Sequence, residues 1–304
     1  MDRQSQYYRQ VQLLLRIIPF VSRYDCFALK GGTAINLFVR NFPRLSVDID
    51  LVFLPMMERQ EALKTITSHL DNLAASITAS IDNTRVVRSF QDKVDALRLL
   101  VEQDGIQIKI ELSPVLRGTV YKPRIIPVSE AVEEEFGFAE MAVVSFEDLY
   151  AGKICAALDR QHPRDLFDVK LLLDNEGFSD ELRKALLVYI ISHPRPIAEL
   201  IRPKFKDISG IYEGEFRNMA DQDIPLADLE ATREQLVRLI NTSLTTQDRT
   251  FLLSFKNRTP DWALLGLTGI DQLPAVRWKL QNLTRMKPKK HVEAYLQLEE
   301  VLKM

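Results

Sequence analysis

Cysteine, histidine and glycine are scarce in this chain of 304 residues, with 2, 4 and 11 copies. Two cysteines cannot form the disulfide framework of a small secreted module. Cys26 and Cys155 lie inside apolar runs and read as buried thiols, which suits a reducing, cytoplasmic setting. The histidines, at 69, 162, 193 and 291, have no cysteine or carboxylate at ligand spacing, which argues against a zinc site. Local sequence supports neither a Ser/His/Asp nor a Cys/His arrangement. Charge of one sign is also lacking. Forty basic residues face 42 acidic ones, so the net charge of -2 gives no global pull on a polyanion, and a nucleic-acid site must come from local clustering. Long apolar runs are missing too. The stretch from Val11 to Val21 is broken by Arg16 and Pro19 and is too short to cross a bilayer, so a membrane partner is not expected.

What is present is ordinary globular material. A composition 46% hydrophobic and 27% charged excludes a disordered or collagen-like chain. The length leaves room for about two domains. Residues 8 to 22 carry apolar side chains at helical spacing. A short strand from Phe27 to Leu29 then meets Gly31-Gly32-Thr33, and a helical run follows from Ala34 to Val39. VDIDLVFL reads as a strand stopped by Pro55, and residues 57 to 80 as a helix. Strands are expected around 85–90 and 96–102. Asp104-Gly105 then turns the chain into the alternating IQIKIEL, which makes 96–112 an antiparallel hairpin. Residues 121 to 140, rich in Pro and Glu, give no clear element. SFEDLYAGKICAALDR opens a helix that His162-Pro163 breaks, and Arg164 onward starts another. From about residue 180 the pattern is almost wholly helical. The expected fold is α/β, with a mixed sheet in the N-terminal half and an all-α C-terminal domain, divided as residues 1–175 and 176–304.

The chemistry concentrates at Asp48-Ile49-Asp50. Side chains two apart on a strand share a face, so both carboxylates point one way while Ile49, Leu51 and Phe53 anchor the other. Paired carboxylates repel, and a hard cation such as Mg²⁺ relieves them while bridging to phosphate oxygens. Upstream, Gly31 and Gly32 lie between a strand and a helix, where free N–H groups and the helix dipole favour a phosphate. Arg44 and Ser46 add a charge and a hydroxyl. In IQIKIEL, Gln107, Lys109 and Glu111 share the face opposite the isoleucines. If that strand neighbours the Asp48 strand, Glu111 supplies a third carboxylate. Lys153 lies in an apolar helix, with Arg160 and Arg164 beyond it. Asp165 and Asp168 share a helical face. For Arg160 and Asp165 an inter-helix salt bridge is an equal account.

Taken together, LKGGTAINLF, RLSVDIDLVF, IKIELSP and LYAGKICAALDRQHPRDLFDVKLLL resemble, in order, the AbiEii/MenT family. These are nucleotidyltransferase toxins of type IV toxin–antitoxin and abortive-infection systems, within the DNA polymerase β-like superfamily. RTFLLSFKN and LPAVRWKLQNL resemble its helical tail. The stretch between Glu111 and the last motif, with its acidic EAVEEEF segment, departs from the pattern. The resemblance implies a polymerase β-type sheet, an NTP substrate, Mg²⁺, and nucleotidyl transfer to an acceptor such as the 3′ end of tRNA. It also implies an AbiEi-like antitoxin as partner. By position, Gly31, Gly32, Thr33, Arg44, Ser46 and Lys153 would bind nucleotide, and Asp48, Asp50 and Glu111 would bind metal. Asp48, Asp50, Lys153 and Asp168 would be catalytic, in a two-metal transfer. A basic run with no acid in it, Arg277, Lys279, Arg285, Lys287, Lys289 and Lys290, with Trp278 among them, is a candidate grip for an RNA backbone. Rival readings are nucleotidylation of a protein, a GTP-binding module without turnover, and a metal-dependent glycosyltransferase.

Overall fold

A computed structural model describes residues 5–91, 96–217, 219–220 and 222–303. The chain forms two compact units, residues 1–145 and 146–304.

The first unit is built on a seven-stranded mixed sheet. Its strands are β1 (Phe27–Lys30), β2 (Asp48–Phe53), β3 (Thr84–Arg88), β4 (Arg98–Gln103), β5 (Ile106–Leu112), β6 (Arg124–Pro127) and β7 (Glu140–Val143). They lie in the order β3-β4-β5-β2-β1-β7-β6. β2 runs parallel to β5 and β1 parallel to β7, and the other neighbours are antiparallel. The helix α1 (Gln6–Val21) turns Val11, Leu14, Ile17, Ile18 and Val21 inward, all with no exposed surface, and packs on β5 and β7. A short helix, α2 (Gly31–Thr33), follows β1 directly. The helix α3 (Arg59–Ser80) packs on β3. The hairpin expected at Asp104-Gly105 is present, with both residues at positive φ (+49° and +76°), the twist that suits a two-residue turn between β4 and β5.

Residues 121 to 140, which gave no clear element in the sequence, hold β6, the short helix α4 (Glu130–Phe136) and the start of β7. Both strands are only four residues long, too short for an alternation to show, and β6 is an edge strand with Ile125 and Pro127 exposed. Cys155 is buried as expected, whereas Cys26 is only part-buried at the start of β1.

The second unit is helical. α5 (Phe146–Asp159), α6 (Pro163–Asn175) and α7 (Asp180–Ser192) come first, with α6 and α7 both packed on α5. They are followed by α8 (Ile197–Ile201), α9 (Ser209–Glu215), α10 (Leu226–Ser243), α11 (Thr246–Lys256), α12 (Pro274–Thr284) and α13 (Pro288–Leu302). Three of the helix starts can be read directly from sequence. His162 caps α6 by accepting from the Arg164 N–H, and Pro163, Pro274 and Pro288 occupy first-turn positions where no N–H is needed. No described helix is long and apolar enough to cross a membrane.

Candidate active site

The strand β2 alternates as its sequence dictates. Ile49, Leu51 and Phe53 have no exposed surface, while Asp48 and Asp50 are half-buried on the opposite face. The sheet register places their neighbours. Asp48 pairs with Lys109 and Asp50 with Glu111 on β5; Asp50 pairs with Lys30 on β1; Glu111 pairs with Arg98 on β4. Glu111 is therefore next to the Asp48 strand, as its alternation required. Its two oxygens, however, are already engaged. Arg98 Nη2 donates to Oε1 at 3.0 Å and Lys109 Nζ lies 2.8 Å from Oε2. Lys109 Nζ also stands 3.6 Å from Asp48 Oδ2.

The carboxyl of Asp48 is pushed up by burial and by Asp50, against the pull of Lys109. Glu111 moves the other way: burial opposes ionisation, but the bonds from Lys109 and Arg98 outweigh it and hold the carboxyl down. Two carboxylates on one strand face, one of them pushed up by burial and by its neighbour, are a donor set that a hard divalent cation relieves, and such an ion binds one or two carboxylates plus substrate phosphates. Among the described residues no group of three or more His, Cys, Asp or Glu is arranged to hold a metal ion. The donors that fit are Asp48 and Asp50, with Glu111 committed to its two basic partners.

The glycine corner abuts this pair. Gly31 has φ +77°, a conformation that L side chains rarely adopt, and a Cβ there would stand 2.6 Å from Asp50 Oδ2. A Cβ on Gly32 would stand 2.7 Å from Ser46 Oγ and 2.9 Å from Arg44 Nη2. Gly31 is thus required by its backbone conformation, Gly32 lets Ser46 and Arg44 come close, and together they bring the N-terminus of α2 against Asp50, Ser46 and Arg44. α2 starts at Gly31 and widens to π-helical geometry from Ala34 to Val39, a form concentrated at functional sites. Lys30, at its N-cap, makes no side-chain capping bond.

Polar bonds fix the corner from below. Thr33 donates its hydroxyl to the Asp48 carbonyl at 2.5 Å and lies 3.1 Å from Ser46 Oγ. With its single proton spent on that carbonyl, Thr33 accepts from Ser46. Asn36, fully buried, donates to the Gly32 carbonyl at 2.8 Å, and its Oδ1 has no hydrogen-bond partner among the described residues. Arg44, 4% exposed, is anchored through the Leu45 carbonyl.

In the second unit, Lys153 of α5 is 7% exposed and lies 2.9 Å from Asp165 Oδ1 and 3.0 Å from Asp168 Oδ2, both on α6 and both without exposed surface. Arg160 grips Asp165 through Nε (2.5 Å) and Nη2 (2.9 Å). Burial opposes the charge on Asp165, yet Lys153 and Arg160 hold its carboxyl well below the usual range. Asp165 and Asp168 share a helical face, as the spacing predicted. Asp165 is as central to the cluster as Asp168, which the sequence pattern did not indicate.

The family described as nucleotidyl transferase AbiEii toxin, type IV TA system, matches residues 12–282. The chain belongs to the AbiEii family. It is a nucleotidyltransferase of a toxin family, and that membership implies an NTP substrate and an antitoxin partner. Among solved structures, the chain is similar to MenT4, a nucleotidyltransferase toxin from Mycobacterium tuberculosis H37Rv. The identity is 14% and the TM-score 0.58, over 98% of this chain and 92% of that one. At that identity the likeness speaks for the fold, a nucleotidyltransferase mixed sheet followed by helices. A search of curated proteins by sequence finds no match.

In this AbiEii-family chain the basic run of α12 and α13 divides. Lys279 is not available to grip RNA. Its Nζ donates to the carbonyls of His193 (2.5 Å), Pro194 (3.1 Å) and Arg195 (2.9 Å), closing the C-terminal end of α7. Burial, with Lys256 nearby, lowers its pKa to about 8. Arg277 is exposed but bonds Gln272. Arg285, Lys287, Lys289 and Lys290 are exposed, and Trp278 is 48% exposed.

Sequence reasoning missed Lys109, Arg98 and Asn36 as members of the site. Lys109 could have been found, because it shares the Glu111 face of an alternating strand. Arg98 needs the β4–β5 register, which the turn at Asp104-Gly105 fixes. Asn36 showed only as a polar residue inside AINLF.

Proposed function

We propose that the chain transfers a nucleotidyl group from an NTP to the 3′ end of an RNA, tRNA in the first place, and thereby inhibits translation and growth. The observation that carries this reading is the seat of Asp50 against Gly31, with Asp48 beside it on the same face of β2. Two carboxylates on one face repel each other, and a cation between them and a phosphate on the helix N-terminus resolves both charges. The triphosphate would lie on the N–H groups of Gly31 and Gly32, with Ser46 turning its hydroxyl from Thr33 toward a phosphate oxygen and Arg44 fixing the corner. Asp48 and Asp50 would hold Mg²⁺, which supplies charge neutralisation for the leaving pyrophosphate and activation of the acceptor hydroxyl.

Lys153 and Asp168 are proposed as further catalytic residues. A lysine ammonium has three N–H donors, and Asp165 and Asp168 take two, which leaves one for a phosphate oxygen. On this reading the functional transferase domain runs to residue 175, taking in α5 and α6, and the helical domain is 176–304. The test is incubation with each labelled NTP, Mg²⁺ and total RNA, resolved by size. Label in the tRNA band that disappears with Asp48→Ala supports the proposal. Label on protein supports nucleotidylation of a protein target instead, and no incorporation with any NTP overturns it.

A further inference from the structure

The register around β2 sets charges in a fixed pattern. One row across the sheet reads Lys30, Asp50, Glu111, Arg98, and the next places Asp48 beside Lys109. Three carboxylates thus face three basic residues, and the row with two adjacent acids is closed at each end by a cation. Such side chains are fixed by strand pairing and by their two-residue spacing on β5, so their company is built into the sheet. Glu111 has both oxygens bonded to basic side chains at 2.8 and 3.0 Å, while Lys109 spans from Glu111 to Asp48. A second divalent ion shared by Glu111 and Asp48 would have to displace this ammonium and meet its charge at close range.

We propose that Lys109 is a built-in cation of this site, taking the place of a second divalent ion, so that the chain itself holds a single ion between Asp48 and Asp50. Lys109 is then a positioning residue: it keeps Glu111 off the metal and sets the charge of the pair. The inference rests on reading Asp48 and Asp50 as the metal donors, and its test separates the two ideas.

Mn²⁺ binding to the full chain, measured by titration and electron paramagnetic resonance, reads the site without turnover. The wild type should take up one Mn²⁺ per chain, with the six-line signal of an isolated ion. Lys109→Met, which keeps the stem and removes the charge, should admit a second ion or tighten binding on the order of tenfold or more. Lys109→Arg should restore single-ion binding. Circular dichroism confirms folding, which Arg98 helps to secure by keeping its bond to Glu111. A coupled two-manganese signal in the wild type overturns the proposal, and so does a Lys109→Met protein with unchanged count and affinity. If Asp48→Asn with Asp50→Asn leaves Mn²⁺ binding intact, the carboxylate-pair reading itself falls.

Discussion

At Gly31 the backbone takes φ +77°, and any Cβ would press on an Asp50 oxygen at 2.6 Å. Gly31→Ala therefore meets backbone strain of about 1–3 kcal/mol and also displaces a proposed metal donor. It should lose transfer activity by well over tenfold and lower Tm, both measured on the purified variant. Asp48→Ala isolates the chemistry. The carboxylate is half-exposed and its backbone stays in the β2 ladder, so Tm should hold within a few degrees. Labelled-nucleotide transfer should fall at least about a hundredfold, a loss on the scale of removing one electrostatic transition-state interaction. These two positions also show how legible the site is. The DxD alternation and the glycine pair are local signals, carried by spacing alone. Lys109 and Arg98 acquire meaning only through register, which a strand does not carry by itself. For Glu111, the sequence showed its face and not the basic residues that bond its two oxygens.

The helices α5 and α6 show the same limit in a different form. The i, i+3 spacing placed Asp165 and Asp168 on one face, but burial made them a cluster: Lys153 and both acids are at most 7% exposed. Sequence spacing cannot tell a solvated salt bridge from a buried one, and the physics differs. Removing one member of a buried pair strands the other, at about 3–5 kcal/mol. Asp165→Asn should therefore cost several kcal/mol in denaturant unfolding, while Lys170→Ala, which breaks an exposed i, i+4 pair with Asp174, should cost less than about 0.5 kcal/mol. The pH dependence follows from the depressed carboxyl of Asp165. Its stabilisation is complete above the unfolded aspartate value of about 4 and is lost as pH falls below that toward the lower folded value. The gap between wild type and Asp165→Asn should be constant from about pH 5 to 7 and close in more acidic buffer. A gap unchanged down to about pH 3 would mean that the cluster does not hold this carboxyl in its ionised form. The strands β6 and β7 lay beyond sequence reasoning for a plainer reason: four residues carry too little periodicity, and their pairing was decided by the rest of the sheet.

For the molecule as a whole, the near-zero net charge means that an RNA acceptor must be held by a patch, and the structure separates the candidates within the basic run. Lys279 caps α7, while Arg285, Lys287, Lys289 and Lys290 reach solvent around the start of α13, whose first turn contains no acid. Two variants should then behave oppositely. Lys279→Met removes the donor to three carbonyls, so Tm should drop by an amount matching about 1–3 kcal/mol while the salt dependence of RNA binding stays put. Reversal of Lys287, Lys289 and Lys290 to Glu should leave Tm nearly unchanged. It should weaken tRNA binding at low salt and flatten the plot of log affinity against log salt. On a single strand the slope falls by about 0.7 for each phosphate that the protein no longer neutralises, so three such phosphates would reduce it by about 2. Wild-type affinity and slope in the reversed protein would remove the α13 corner as the acceptor site and leave the nucleotide chemistry proposed for β2 untouched.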